Sequence, residues 1–141
     1  MTKDEILRQI DESWAALNAA LDGIPESALA RPGVCGNWSI TDLLGHIAFW
    51  DRQALEEARR RAAGEAPRRL DWQAMNEENA AANAQRDLAD LKAEFDSVHA
   101  ELVSTLGSLE TLYPESIKVD TWEHYDEHAA DIRGWREREA I

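Results

Sequence analysis

His124 and His128 stand four residues apart near the end of the chain. On a helix that step is about one turn, so both imidazoles share a face and can turn toward one metal ion. A third histidine, His46, lies far upstream in a segment that also has helical periodicity. Neutral imidazole is the commonest metal ligand, and three protein ligands with an open position is the pattern of catalytic zinc. The expected cofactor is therefore a divalent metal at His46, His124 and His128. Zinc or nickel comes first, and ligand type leaves iron and manganese open.

Helical geometry places these rings against the core. With His124 at 0°, His128 falls at about 40°, Trp135 at about 20°, Ile132 at about 80° and Tyr125 at about 100°. With His46 at 0°, Trp50 falls at about 40°, Leu43 at about 60° and Ile47 at about 100°. All three histidines thus border an inward, apolar arc. Depth is a second criterion. His46 lies roughly 10 Å into its helix from Ser39, and His124 and His128 lie roughly 6 and 12 Å in from Asp120. Parallel helices would bring the three to one depth, and antiparallel ones would separate them. His99 lies roughly 16 Å from the shared end and reads as a core-edge residue or a group behind the ligands.

Neighbouring groups suggest further roles. Asp42, one turn before His46, and Asp131, three residues after His128, are each placed to accept a ring N–H and set the tautomer; helix-start charge and a solvated face are the plainer readings. Glu127 and Tyr125 are candidate acid–base groups, and the sequence does not choose between them. Trp38, Trp50 and Trp122 either pack the core or shape an apolar pocket near the metal. Cys35 shows no adjacent cation or helix start to activate its thiol. The chain has no G-x-S-x-G motif, P-loop or dinucleotide fingerprint.

The elements that must position these groups are amphipathic helices. Thr2-Lys3-Asp4-Glu5 is a capping box, followed by Ile6, Ile10, Trp14, Leu17 and Leu21 at steps of three and four. Gly23 and Pro25 end that helix, and Pro25 to Leu29 adds a short helical turn. Arg31 to Trp38 is a loop with Pro32, Gly33 and Gly36. Ser39 caps a second helix, with Asp42 three residues on and Trp38 and Leu43 at the positions of a hydrophobic staple. Its stripe runs through Ile47, Trp50, Ala54 and Ala58, and the Arg59-Arg60-Arg61 run suits a helix C-terminus. Asp71 to Ala84 is weakly patterned and helical, either a crossover or the start of the next helix. From Asp87 the stripe Leu88, Leu91, Phe95, Val98, Leu102, Leu106, Leu109 is the cleanest in the chain. Ile117-Lys118-Val119 reads as extended, and Asp120 or Thr121 caps the last helix. The expectation is an all-α, up-down-up-down four-helix bundle, one domain over residues 1–141, with a long crossover between helices two and three.

Composition narrows the partners. The chain has 141 residues, 44% of them hydrophobic, and a net charge of −13. That charge argues against nucleic acid and anionic membrane surfaces. One cysteine allows no intrachain disulfide, and neither a signal peptide nor an apolar run near ~20 residues is visible, so a cytoplasmic place is expected.

Residues 32–51, PGVCGNWSITDLLGHIAFWD, resemble the second-helix signature of the DinB/YfiT-like superfamily, as does 125–135, YDEHAADIRGW. Asn76-Glu77-Glu78-Asn79 with Phe95 and His99 is similar to the ClbS/DfsB branch. The resemblance implies a four-helix bundle, often with a three-histidine metal site at the positions of His46, His124 and His128. It also implies thiol-dependent transferase or isomerase chemistry in some members, colibactin resistance by cyclopropane opening in the ClbS branch, and homodimers. Three readings follow: a metal-dependent hydrolase or thiol transferase acting on a small molecule, a ClbS-like resistance protein that binds or hydrolyses an electrophilic toxin without needing metal, and a non-enzymatic binding module.

Overall fold

The computed structural model describes Met1–Ile141 and is all-helical. Helix α1 spans Lys3–Leu21 and opens on the Thr2/Glu5 capping box, with reciprocal bonds of 3.1 and 2.8 Å. A 3-10 turn at Glu26–Ala28 follows. Helix α2, Ile40–Ala62, opens on a second capping box between Ser39 and Asp42. Helix α3 covers Trp72–Asn83, α4 covers Leu88–Ser108, α5 is the short Pro114–Ile117 turn, and α6 covers Trp122–Glu139. The expected stripes form the core: Ile6, Ile10 and Leu17 from α1, Leu43, Ile47 and Ala54 from α2, Phe95 and Leu102 from α4, Tyr125, Ile132 and Trp135 from α6.

The four long helices are those expected, but their directions differ from an up-down-up-down order. Lys3 donates to the Gly107 and Leu109 carbonyls, so α1 and α4 are antiparallel. Arg136 donates to the Ala20 and Asp22 carbonyls, so α1 and α6 run together. Along α4, Leu91 lies beside Gly45 and His99 beside Asp51, so α2 and α4 are parallel. The order is therefore up-down-down-up, with α2 packed mainly on α4 and α1 mainly on α6. Parallel neighbours require a return leg, and α3 supplies it. Asn76 meets Trp50, and Asn79 and Asn83 meet Gly45, so α3 runs back along α2. Residues 84–87 separate it from α4, which makes it the crossover.

Two further local corrections bear on the site. Ile117-Lys118-Val119 is not extended: Ile117 closes the helical turn that Pro114 starts, and Lys118 and Val119 continue it as a turn. Thr121 occupies the cap position of α6, but its hydroxyl donates to the Ile117 carbonyl instead of capping. Asp120 does not cap either, and its side chain turns into a cavity. No helix is long and apolar enough to cross a membrane.

Candidate metal centre

His46, His124 and His128 converge. His124 Nε2 lies 2.9 Å from His46 Nε2 and 3.0 Å from His128 Nε2. One ligand nitrogen from each residue lies within 4.8 Å of the others. The helices that carry them, α2 and α6, are antiparallel, as the Tyr125–Asp51 and Arg138–Gly33 bonds show. They meet nonetheless because their ends are not level. The last turn of α6 overhangs the start of α2 and lies on the 31–38 loop, so the first two turns of α6 face the second turn of α2.

The donor set fits a cation. His124 Nε2 offers one proton or one lone pair, yet two ring nitrogens face it. Hydrogen bonding alone cannot satisfy both well. Three nitrogens each about 2.0–2.1 Å from a tetrahedral ion stand roughly 3.3 Å apart, so small ring rotations convert this packing into a ligand set. Burial, then the proximity of His128, pulls His46 down to about 3, and burial also lowers His124 well below the usual imidazole range. Both rings are neutral near pH 7, the form that ligates. His128 Nδ1 lies 3.1 Å from Asp131 Oδ2; donation there leaves Nε2 with its lone pair toward the other two rings. His46 Nδ1 and His124 Nδ1 are buried without a partner.

The other nearby candidates separate. Asp42 is occupied by its capping box, accepting from the Ser39 N–H at 2.9 Å, and takes no part. Cys35, His128 and Asp131 form a second group with metal-ligand spacing on the outer side of His128. Burial and Asp131 push the Cys35 thiol up to about 11, so it is a thiol and not a thiolate near neutrality. His99 is not a ligand. It stacks on Trp14 at 3.5 Å between centroids, with Nδ1 3.2 Å from the Tyr125 hydroxyl. Tyr125 donates to Asp51 in the core and does not line the cavity, which leaves Glu127 as the one expected acid–base candidate that does.

A cavity of about 590 Å³ opens over the histidines. Trp38 and Trp50 line it; Trp122 is in the core instead. Trp38 lies against His46, 4.5 Å between centroids, and Trp50 is fixed by donating to Asn76 Oδ1 at 2.6 Å. Trp72 and Asp120 also line the cavity, and sequence reasoning assigned neither to it. For Asp120 a signal existed: two cap-type residues preceded α6, so one was spare. Burial, then the nearby Asp51 charge, pushes the Asp120 carboxyl up to about 6.

The fold has a known counterpart. Residues 9–118 match the DinB superfamily. The chain belongs to the DinB superfamily. Members of that superfamily are often metal-binding. The match ends before α6, so His124 and His128 rest on their own geometry. The structure is similar to the crystal structure of an uncharacterised protein from Escherichia coli UTI89, with a TM-score of 0.79 and 18% identity, over 99% of this chain and 95% of that one. At that identity the likeness concerns the fold. No curated protein matches the chain.

Proposed function

We propose that this DinB-superfamily protein is a metal-dependent enzyme of hydrolase or thiol-transferase type, acting on a small molecule in the cytoplasm. The observation that carries the reading is the convergence of three Nε2 atoms on one point beneath an open cavity. His46, His124 and His128 would hold the ion. When bound, a divalent ion supplies Lewis-acid activation of a water or thiol nucleophile and polarises an electrophile. The chain's own residues do the rest. Asp131 holds the His128 tautomer, and Trp38 and Trp50 present apolar walls beside the ring nitrogens.

A second reading keeps the cavity and omits the metal: a ClbS-like protein that captures an electrophilic toxin. Its support is the tryptophan lining. Of the residues that carry the branch resemblance, Asn76 lines the cavity and holds its Trp50 wall, and the packing of Asn79, Phe95 and His99 does not speak to toxin chemistry. Asn76 and Asn79 tie α3 to α2, and Phe95 and His99 stack on Trp14.

Metal analysis of protein purified without a His tag, after reconstitution with zinc, nickel and manganese in turn, tests the proposal. The proposal predicts about one equivalent of one ion per chain, lost in His46→Ala and His124→Ala with helicity retained. Less than about a tenth of an equivalent for every ion would overturn it and leave the second reading.

A further inference from the structure

The cavity has a charge pattern that metal binding does not use. Three tryptophans line it, and no lysine or arginine does. Its acidic side chains are Asp120 and Glu127. Glu127 is exposed, whereas Asp120 is half-buried and has no hydrogen-bond partner. The cation nearest in influence, Arg68, is already committed to Glu57 at 3.0 Å and to the Gln53 carbonyl at 3.3 Å. A half-buried carboxylate without a partner is a cost that an incoming cation relieves. Tryptophan faces attract cations too, while an anionic ligand in the metal-free cavity would meet two carboxylates and no lysine or arginine.

We propose that the cavity takes an amine, with an apolar or aromatic body against Trp38, Trp50 and Trp72 and its ammonium group at Asp120. The inference rests on reading this cavity as the substrate site of the proposed enzyme, and it names that substrate's class. The cavity volume is that of a small-molecule site. Trp50 is held by Asn76, so at least one wall is ordered before the ligand arrives.

The test titrates 3-phenylpropylamine, 3-phenylpropanol and 3-phenylpropionate into the full chain by calorimetry at pH 7.5. Zinc-loaded and metal-stripped protein are both used. That pH is above the Asp120 value of about 6, so its carboxyl is ionised. The expected result is amine binding about tenfold tighter than the alcohol in both forms, and about tenfold tighter than the carboxylate in the metal-stripped form, where no ion can ligate it. Asp120→Asn abolishes the preference with zinc content unchanged. Trp72→Ala, at a side chain 58% exposed and so dispensable to the fold, weakens all three ligands. Equal binding of the alcohol, equal binding of the carboxylate to metal-stripped protein, or an amine preference that survives Asp120→Asn overturns the proposal. So does a preference seen only with zinc, which would make the amine a metal ligand. A zinc titration without ligand keeps the two readings apart. Absent zinc uptake with amine selectivity intact would overturn the metal site alone.

Discussion

Replacing Tyr125 with phenylalanine removes one oxygen from the centre of the bundle. Tyr125 and Asp51 are both fully buried, and the Tyr125 hydroxyl donates to Asp51 Oδ1 at 2.5 Å. Asp51 Oδ2 has no hydrogen bond and lies 3.5 Å from His99 Nδ1. A hydrogen bond to a charged acceptor contributes about 1.5–3 kcal/mol, and orphaning a buried carboxylate adds to that, so the loss should be about 2–4 kcal/mol near neutral pH. The penalty should also depend on pH. Burial raises the Asp51 carboxyl above its ordinary value, against the lowering pull of His99 and Tyr125. The folded chain therefore holds this proton to higher pH than the unfolded one. That contribution is fully present below the unfolded value and is lost as pH rises through the raised folded value. Phenylalanine removes one lowering pull and extends the loss upward, so the penalty should be larger at pH 8 than at pH 5. Urea unfolding followed by circular dichroism, on the wild type, Tyr125→Phe, Asp51→Asn and the double variant, measures this. The double variant should lose the pH dependence. A pH-independent penalty, or one under about 0.5 kcal/mol at both pH values, would refute the reasoning.

Four other outcomes are expected. A methyl group at Gly45 would sit 2.8 Å from Asn83 Cγ and 3.2 Å from Leu91 Cδ2. Gly45→Ala should therefore destabilise by about 1–3 kcal/mol in chemical unfolding, despite alanine's better helix propensity. Asp131→Ala frees the His128 ring and should weaken zinc affinity about 10–100-fold in a competition titration, with folding intact. His46 is held near 3 against an ordinary 6.5, so the unfolded chain takes up this proton first as pH falls. Metal-free protein should lose stability between those two values, and His46→Gln should flatten that limb of the unfolding profile. Cys35, with its thiol raised to about 11, should react with iodoacetamide at pH 7.5 much more slowly than a free thiol, and faster as pH rises.

Helix positions were legible because the stripes through Ile6, Leu43, Leu91 and Tyr125 repeat at steps of three and four. Helix directions were not. Depth counted from each helix's own start assumes that the starts are level, and α6 is offset along α2. The histidines met for a reason opposite to the one their spacing suggested: antiparallel helices slid past one another. The crossover between α2 and α4 was legible as such, but how it packs was not, because α3 grips α2 with Asn76, Asn79 and Asn83, a polar stripe that carries no hydrophobic signal. Asp120 was read, with Thr121, as one of two candidate caps because an aspartate before a helix usually is one. In the structure α6 starts one residue later, with Thr121 at the cap position, and the Asp120 carboxylate lines the cavity.

The central claim is that three imidazoles form one ligand set. X-ray absorption on zinc-loaded protein tests it most directly. The account predicts three imidazole nitrogens at about 2.0–2.1 Å with a light-atom fourth ligand and no sulfur. A sulfur shell near about 2.3 Å would put the ion at Cys35, His128 and Asp131 instead, and would contradict it.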